Sequence, residues 1–290
     1  MKHALRFGCL ACVVSWVLVS CAQGTDVSGD GPGPGDDGGV VPGQDGSGPA
    51  IPVDTTPYQI TAATAASLAG MTADGYVVYH TSDGLYAVPA KAGSSPTRIT
   101  SDAALAVIHG NVVFAYTNVD YQNNLGTLTV WTAAGGVKPV GNTLLSDDMV
   151  ASSDDGSQIL FTSDVTATTA SLQTAPSNAP QSRRTLVTAM GRGSATTCRP
   201  SFGFAGKSAI AVWCADGSES AQLARYDAPT GSAAAWSATT IATDVQPAWV
   251  TDTGGHRVFF VTNASRGMVT DTTNAKSSIL VDNGVTWATF

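Results

Sequence analysis

The sequence predicts an all-β fold: a β-propeller of four-stranded antiparallel blades, with about five blades visible, as a closed or an incomplete ring. Three observations carry this. Val, Thr, Ala, Ser and Gly dominate while strong helix formers are scarce, Glu219 being the one glutamate in 290 residues, and such a composition suits strands and turns. A turn glycine followed by an apolar run recurs as Gly75-Tyr-Val-Val-Tyr, Gly110-Asn-Val-Val-Phe, Gly156-Ser-Gln-Ile-Leu-Phe, Gly206-Lys-Ser-Ala-Ile-Ala-Val-Trp and Gly255-His-Arg-Val-Phe-Phe. These glycines lie 35, 46, 50 and 49 residues apart, and a period near 45 with several strands per unit points to a propeller.

Each unit reads alike. A small, mixed strand precedes the glycine: Ser67–Thr72, Ala104–Ile108, Met149–Ser153, Pro200–Phe204 and Pro247–Thr251. The most apolar strand follows the turn, and its near-continuous apolar run fits burial on both faces between neighbouring blades. After a polar loop comes a third strand, at Leu85–Val88, Thr127–Thr132, Ser171–Thr174, Ala221–Tyr226 and Ser278–Val281. A short fourth strand is expected at Thr97–Thr100, Val137–Val140, Thr185–Thr188 and Thr239–Ala242. One such unit cannot bury its own faces, so neighbours must stack. Near the C-terminal end, Asp282-Asn283-Gly284 has hairpin chemistry, leaving Val285–Phe290 as a last strand, while Tyr58–Thr61 suits an outer strand that pairs across a closure.

The segment Ala151-Ser-Ser-Asp-Asp-Gly-Ser-Gln-Ile-Leu-Phe-Thr-Ser-Asp164 resembles the repeat of TolB-like propellers, and Met71-Thr-Ala-Asp-Gly-Tyr-Val-Val-Tyr-His-Thr-Ser-Asp83 is a looser match. The resemblance covers the propeller region only and implies fold rather than chemistry. The other three units keep the glycine and the apolar strand but lose the Asp-Gly pair. That pair suits a tight turn, because Gly accepts positive φ and Asp bonds the local backbone.

Ahead of the repeats the chain reads as two further regions. In residues 1–20, Lys2 and Arg6 precede a run from Phe7 to Val19 that only Ser15 interrupts. This is a secretory signal whose apolar core is too short for a permanent membrane helix. It ends in Leu18-Val19-Ser20-Cys21, which resembles the lipobox of bacterial lipoproteins. That resemblance implies cleavage before Cys21, lipid attachment to its thiol and anchoring of the mature chain by buried acyl chains, each CH₂ contributing about 0.8 kcal/mol. Ala22 after the cysteine, by the same resemblance, implies the outer membrane. Cys9 and Cys12 lie inside the removed segment and carry no redox or metal role.

Residues 21–51 hold Gly-Pro-Gly-Pro-Gly and the aspartates Asp26, Asp30, Asp36, Asp37 and Asp45. With so little to bury, this stretch is expected to be a disordered tether, and the propeller domain is expected over 52–290. Cleavage removes Lys2 and Arg6 and no acid, so the net charge of −8 becomes −10. An acidic body argues against nucleic-acid binding and against anionic membranes as partners by charge. Cys198 and Cys214 remain in the folded part, and in an oxidising compartment their spacing suits a disulfide between adjacent antiparallel strands.

The sequence holds no nucleophile elbow, zinc-binding helix motif or phosphate loop, so no catalytic residue, cofactor or metal is expected. His80, His109 and His256 read as solvated turn histidines, and Asp83, Asp164, Asp216 and Asp252 as turn residues. Gly191-Arg-Gly-Ser reads as a relaxed loop between blades, and the tryptophans as packing. The candidate binding elements are the loops after the second strands, which gather on one face of a propeller. One is Thr117–Leu125 with Tyr121, Asn123 and Asn124; the other is Thr262–Lys276 with Arg266 and Asp271. The expectation is a lipid-anchored, non-enzymatic binding module of the cell envelope, with an envelope protein or a glycan as partner. The alternatives are an envelope hydrolase or lyase acting on an extracellular polymer, and a structural envelope protein.

Overall fold

A computed structural model describes residues 66–192, 200–215, 217, 218, 220–229, 235–251, 257–271 and 278–283. These fall into nineteen strands, and every strand pair is antiparallel. Blade one comprises β1 (Ser67–Met71), β2 (Tyr76–Thr81), β3 (Gly84–Pro89) and β4 (Thr97–Thr100). Blade two comprises β5 (Leu105–His109), β6 (Val112–Asp120), β7 (Leu125–Thr132) and β8 (Gly136–Leu144). A one-turn 3₁₀ helix at Asp147–Met149, capped by Ser146, leads into blade three. That blade comprises β9 (Val150–Ser152), β10 (Gln158–Ser163), β11 (Thr169–Pro176) and β12 (Arg184–Gly191). In all three, strands lie side by side in chain order, the meander of a propeller blade.

The second strands explain why the blades stack. Successive side chains of a strand point to opposite faces, and here both faces are buried. Val113 and Ala115 of β6 pack with Val78 of blade one, whereas Val112, Phe114 and Tyr116 pack with Ile159 and Phe161 of blade three. Leu160, between those two, turns the other way and packs with Ala209 and Ala211 of the next blade. Buried hydrogen bonds tie the same neighbours: Thr143 and Thr162 share a hydroxyl contact at 2.7 Å, and the Leu144 N–H donates to Thr162 Oγ1 at 3.0 Å. The first strands also adjoin across blades, with Ser152 Oγ donating to the His109 carbonyl at 2.8 Å.

The last two units differ from the expected pair of separate sheets. β13 (Ser201–Ala205), β14 (Ser208–Trp213), β15 (Ala221–Asp227), β16 (Ser237–Thr251), β17 (Arg257–Thr262), β18 (Arg266–Asp271) and β19 (Ser278–Asn283) form one seven-stranded sheet. The outer strand of blade four and the inner strand of blade five are one 15-residue strand, β16. Where blades two and three meet, a capped 3₁₀ turn breaks the chain. Within β16 the pairing with β15 slips at two places, and near the junction Asp244, at φ 58°, precedes a register shift between Val245 and Trp249 on the β17 side. That is a bulge, which bends a strand without ending it. The two halves still contribute opposite blades: Ile210 and Val212 pack with Val258 and Phe260.

The strand expectations hold for the described residues with small shifts at the ends. The exception is blade five, whose third strand is β18 and whose fourth, β19, takes the segment expected as the third. Asp282 and Asn283 lie within β19. Gly284, Val285–Phe290 and Tyr58–Thr61 lie outside the described residues. Among the described residues no helix is long and apolar enough to cross a membrane.

Phe161 is fully buried between blades two and three, so Phe161→Ala leaves a cavity in that layer. The expected cost is about 3–5 kcal/mol, measured as a lower urea midpoint with an unchanged m-value.

Candidate functional site

In an antiparallel meander, the turns joining strands one to two and three to four lie at one end of a blade. The turn joining strands two to three lies at the other. A cleft of about 630 Å³ opens at the first of these ends, between blades three and four. Blade three supplies the β9–β10 turn with Asp154 and Asp155, and the β11–β12 segment with Arg184. Blade four supplies Lys207 from the β13–β14 turn and Trp236 just ahead of β16.

The β9–β10 turn is locked by its own side chains. Gly156 sits at φ +68° and donates its N–H to the Ser153 carbonyl at 2.8 Å. Ser153 Oγ accepts from the Gln158 N–H at 3.0 Å. Three donors converge on Asp155 Oδ1: the Ser157 N–H at 3.0 Å, and the hydroxyls of Ser157 and Ser153, each at 2.7 Å. Blade one repeats the core of this device, with the Tyr76 N–H donating to Thr72 Oγ1 at 2.9 Å and Gly75 at φ +85°. Asp155 with Gly156 thus does what turn chemistry requires, whereas in blade one Gly75 takes the positive φ and Thr72, not Asp74, bonds the backbone.

These donors, with the Ser157 N–H first and the Lys207 charge adding a little, hold the Asp155 carboxyl at about 2. The cleft lining carries Asp154, Asp155 and Arg184 from blade three and Lys207 from blade four, so its formal charges balance. At its floor, Leu160, Thr174 and Arg184 are register partners across β10, β11 and β12, and Leu160 and Leu172 fix that face as the one toward blade four. Thr174 is buried and its hydroxyl has no hydrogen-bond partner. Trp236 is half-buried, packs against the core shared by blades three and four, and lines the cleft.

The loop residues singled out in the sequence lie at the opposite end of the blades or on strands. Tyr121 is 75% exposed at the tip of the β6–β7 hairpin, and Asn124 occupies a left-handed position at φ 55°. Asn123 is consumed locally: its Nδ2 donates to Asp120 Oδ2 at 2.6 Å and its N–H to Asp120 Oδ1 at 3.1 Å. The hairpin is shorter than the expected loop, because β6 continues to Asp120. The second loop is corrected outright: Arg266 and Asp271 are the two ends of β18, where the alternation of Gly, Met, Val and Thr extends the sheet. The two candidate loops are not brought together with the cleft.

Other expectations also shift. His109 is not a solvated turn residue: it packs edge-on against Phe114 with ring centres 5.9 Å apart, and burial lowers its pKa against the pull of Asp147 and Asp148. Arg192, expected in a relaxed loop, is a clamp. It donates to the Asn123 carbonyl at 2.6 Å and to the Thr166 carbonyl, joining the blade-two hairpin to blade three. Cys198, Asp216, Glu219, Asp252 and His256 lie outside the described residues. Among the described residues no group of three His, Cys, Asp or Glu side chains is arranged to hold a metal.

No family model matches this chain, and neither does any curated protein. Solved structures similar to it include TolB from Acinetobacter baumannii, at 13% identity and a TM-score of 0.40, covering 72% of this chain and 49% of that one. A prolyl endopeptidase is similar at 12% identity and a TM-score of 0.47, covering 76% of this chain and 35% of that one. The β-propeller domain of the Trilobed protease from Pyrococcus furiosus is similar at 8% identity and a TM-score of 0.44, covering 76% and 72%. This chain spans about half the length of the TolB it matches.

Asp155 gives the cleft a defined pH response. Its folded pKa is about 2 against an ordinary 3.8, so its contribution to stability is complete above about pH 4 and is lost as pH falls toward 2. Asp155→Asn is expected to flatten stability against pH over that window. At pH 7 the loss should stay under about 1 kcal/mol, because the group is exposed and screened. Urea unfolding at pH 2, 3, 4 and 7 checks both.

Proposed function

We propose that this chain is a lipid-anchored β-propeller of the bacterial cell envelope that works as a non-enzymatic binding module. The observation that carries the reading is the cleft between blades three and four, which is of ligand size, mixes charged, hydroxyl and aromatic groups, and is walled by turns on rigid sheets. Leu18-Val19-Ser20-Cys21 supports the anchor, with Cys21 as the lipidated residue. The Gly/Pro/Asp-rich stretch to residue 51 supports a spacer, and Ala22 an outer-membrane address. The repeat resemblance at 71–83 and 151–164 supports a TolB-like propeller in particular. Tyr121, Arg266 and Asp271 remain separate candidate contacts, on the blade-two hairpin and at the two ends of β18.

A Cys198–Cys214 bridge belongs to the same reading. Cys214 follows β14, is buried and is disulfide-bonded, and an oxidising compartment favours such a pairing. The expected result of reduction is a loss of about 3 kcal/mol in unfolding free energy. Peptide mapping without reductant identifies the pair, and a free Cys198 thiol excludes it.

The anchor and the binding role are tested together. Growth with an alkyne-tagged palmitate should label the full chain, and Cys21→Ser should abolish labelling and release the protein from the membrane fraction. Affinity capture from envelope extracts should then return one partner that Lys207→Ala weakens. Labelling that survives Cys21→Ser defeats the anchor, and turnover of an envelope polymer by the purified chain defeats the non-enzymatic reading.

A further inference from the structure

We infer that the cleft between blades three and four binds a short, neutral oligosaccharide, one sugar ring lying against Trp236 and its hydroxyls taken up by Asp154, Arg184 and Lys207. The inference deepens the binding-module reading and rests on it.

The ligand class follows from what the cleft presents. Its volume of about 630 Å³ falls in the range of about 300–1,000 Å³ typical of sites that enclose an organic ligand. Its lining carries two carboxylates, Asp154 and Asp155, and two cations, Arg184 and Lys207, so its formal charge favours neither a polyanion nor a polycation. A neutral polyol matches such a wall, because each hydroxyl can donate to a carboxylate and accept from a guanidinium or ammonium group. Hydrogen bonds to charged groups are the stronger ones. The remaining lining mixes hydroxyl and amide groups with Ala175, Pro176, Pro229 and the aromatic Trp236. An aromatic plane with a polar rim suits a ring that is apolar on its C–H face and polar at its edge.

Among the described residues Thr174 is one of five with a buried polar atom lacking a partner, and it is the one that lines the cleft. It is 1% exposed, and its Oγ1 has no partner. A buried hydroxyl left unpaired costs free energy, and such groups in native proteins call for an explanation. Here the hydroxyl belongs to the cleft floor, within the layer that Leu160 and Leu172 fill deeper between the blades. It is closed off from solvent in this structure, so a ligand hydroxyl meets it only if the side chains of the floor shift on binding.

A peptide fits less well. Peptides that dock in extended form take main-chain bonds from a strand edge and place alternate side chains in pockets. This cleft is instead walled largely by turns, and the β9–β10 turn already spends its N–H groups on Ser153 and Asp155.

The test is calorimetric titration of the full chain in detergent with maltotriose, cellotriose and triacetylchitotriose, alongside a proline-rich decapeptide. At least one trisaccharide should bind saturably at one site per chain. Trp236→Ala and Lys207→Ala should each weaken it tenfold or more, and Tyr121→Ala, at the other end of the blades, should leave it unchanged. Lys207 lies on an exposed turn, so its variant keeps the test decisive even if Trp236→Ala unfolds. Failure of all three sugars, binding insensitive to Lys207→Ala, or saturable binding of the decapeptide alone overturns the saccharide assignment. If a protein partner is still captured in those cases, the binding-module reading survives and only the ligand class falls.

Discussion

The constraint on which the described structure depends is the double burial of the second strand in each blade. A strand exposes alternate side chains on opposite faces, and a lone four-stranded sheet covers neither of them. In β6 and β10 both sets are apolar and both are fully buried, so each blade needs a neighbour on either side. The stacking order, the direct contact between first strands and the buried Thr143–Thr162 pair all follow from this.

The same constraint makes the cleft. Between blades three and four the layer is Leu160 and Leu172 against Ala209, Ala211 and Ala224. The blade-four side of that layer also carries Phe202 and Tyr226, so the core ends against aromatic as well as small side chains. Toward the turns, blade three changes from leucine to Thr174, Gln158 and Arg184, and blade four ends in Gly206 and Lys207. The apolar layer stops before the sheets do, and the gap is lined by polar groups that the strands hold in place. A cleft of this origin is framed by paired strands, and pre-ordered walls lower the ordering cost of binding.

Much of the architecture was legible in the sequence, because the repeat states it several times. The glycine turns and apolar second strands fixed blade boundaries to within a few residues, and Asp155 with Gly156 showed the turn chemistry directly. Two features were hidden. The merging of blades four and five turns on a bulge at Asp244, and an aspartate before Val and Gln reads as a loop residue until its pairing is known. β18 was missed because Arg266-Gly-Met-Val-Thr-Asp271 carries a glycine and charged ends, which weaken a strand signal that cross-strand pairing with β17 overrides.

The cleft itself was out of reach for a different reason. Each lining residue was visible, and several had a local explanation: Asp154 and Asp155 as turn residues, Trp236 as packing. None of those readings is wrong, since Asp155 does lock its turn and Trp236 does pack against the core. What the sequence could not supply is that turns some 50 residues apart, at Asp155 and Lys207, end up facing each other. That follows from stacking consecutive blades in register, so equivalent turns align at one end. Propeller sites are therefore better sought between equivalent positions of adjacent repeats than in the longest loop of any one repeat.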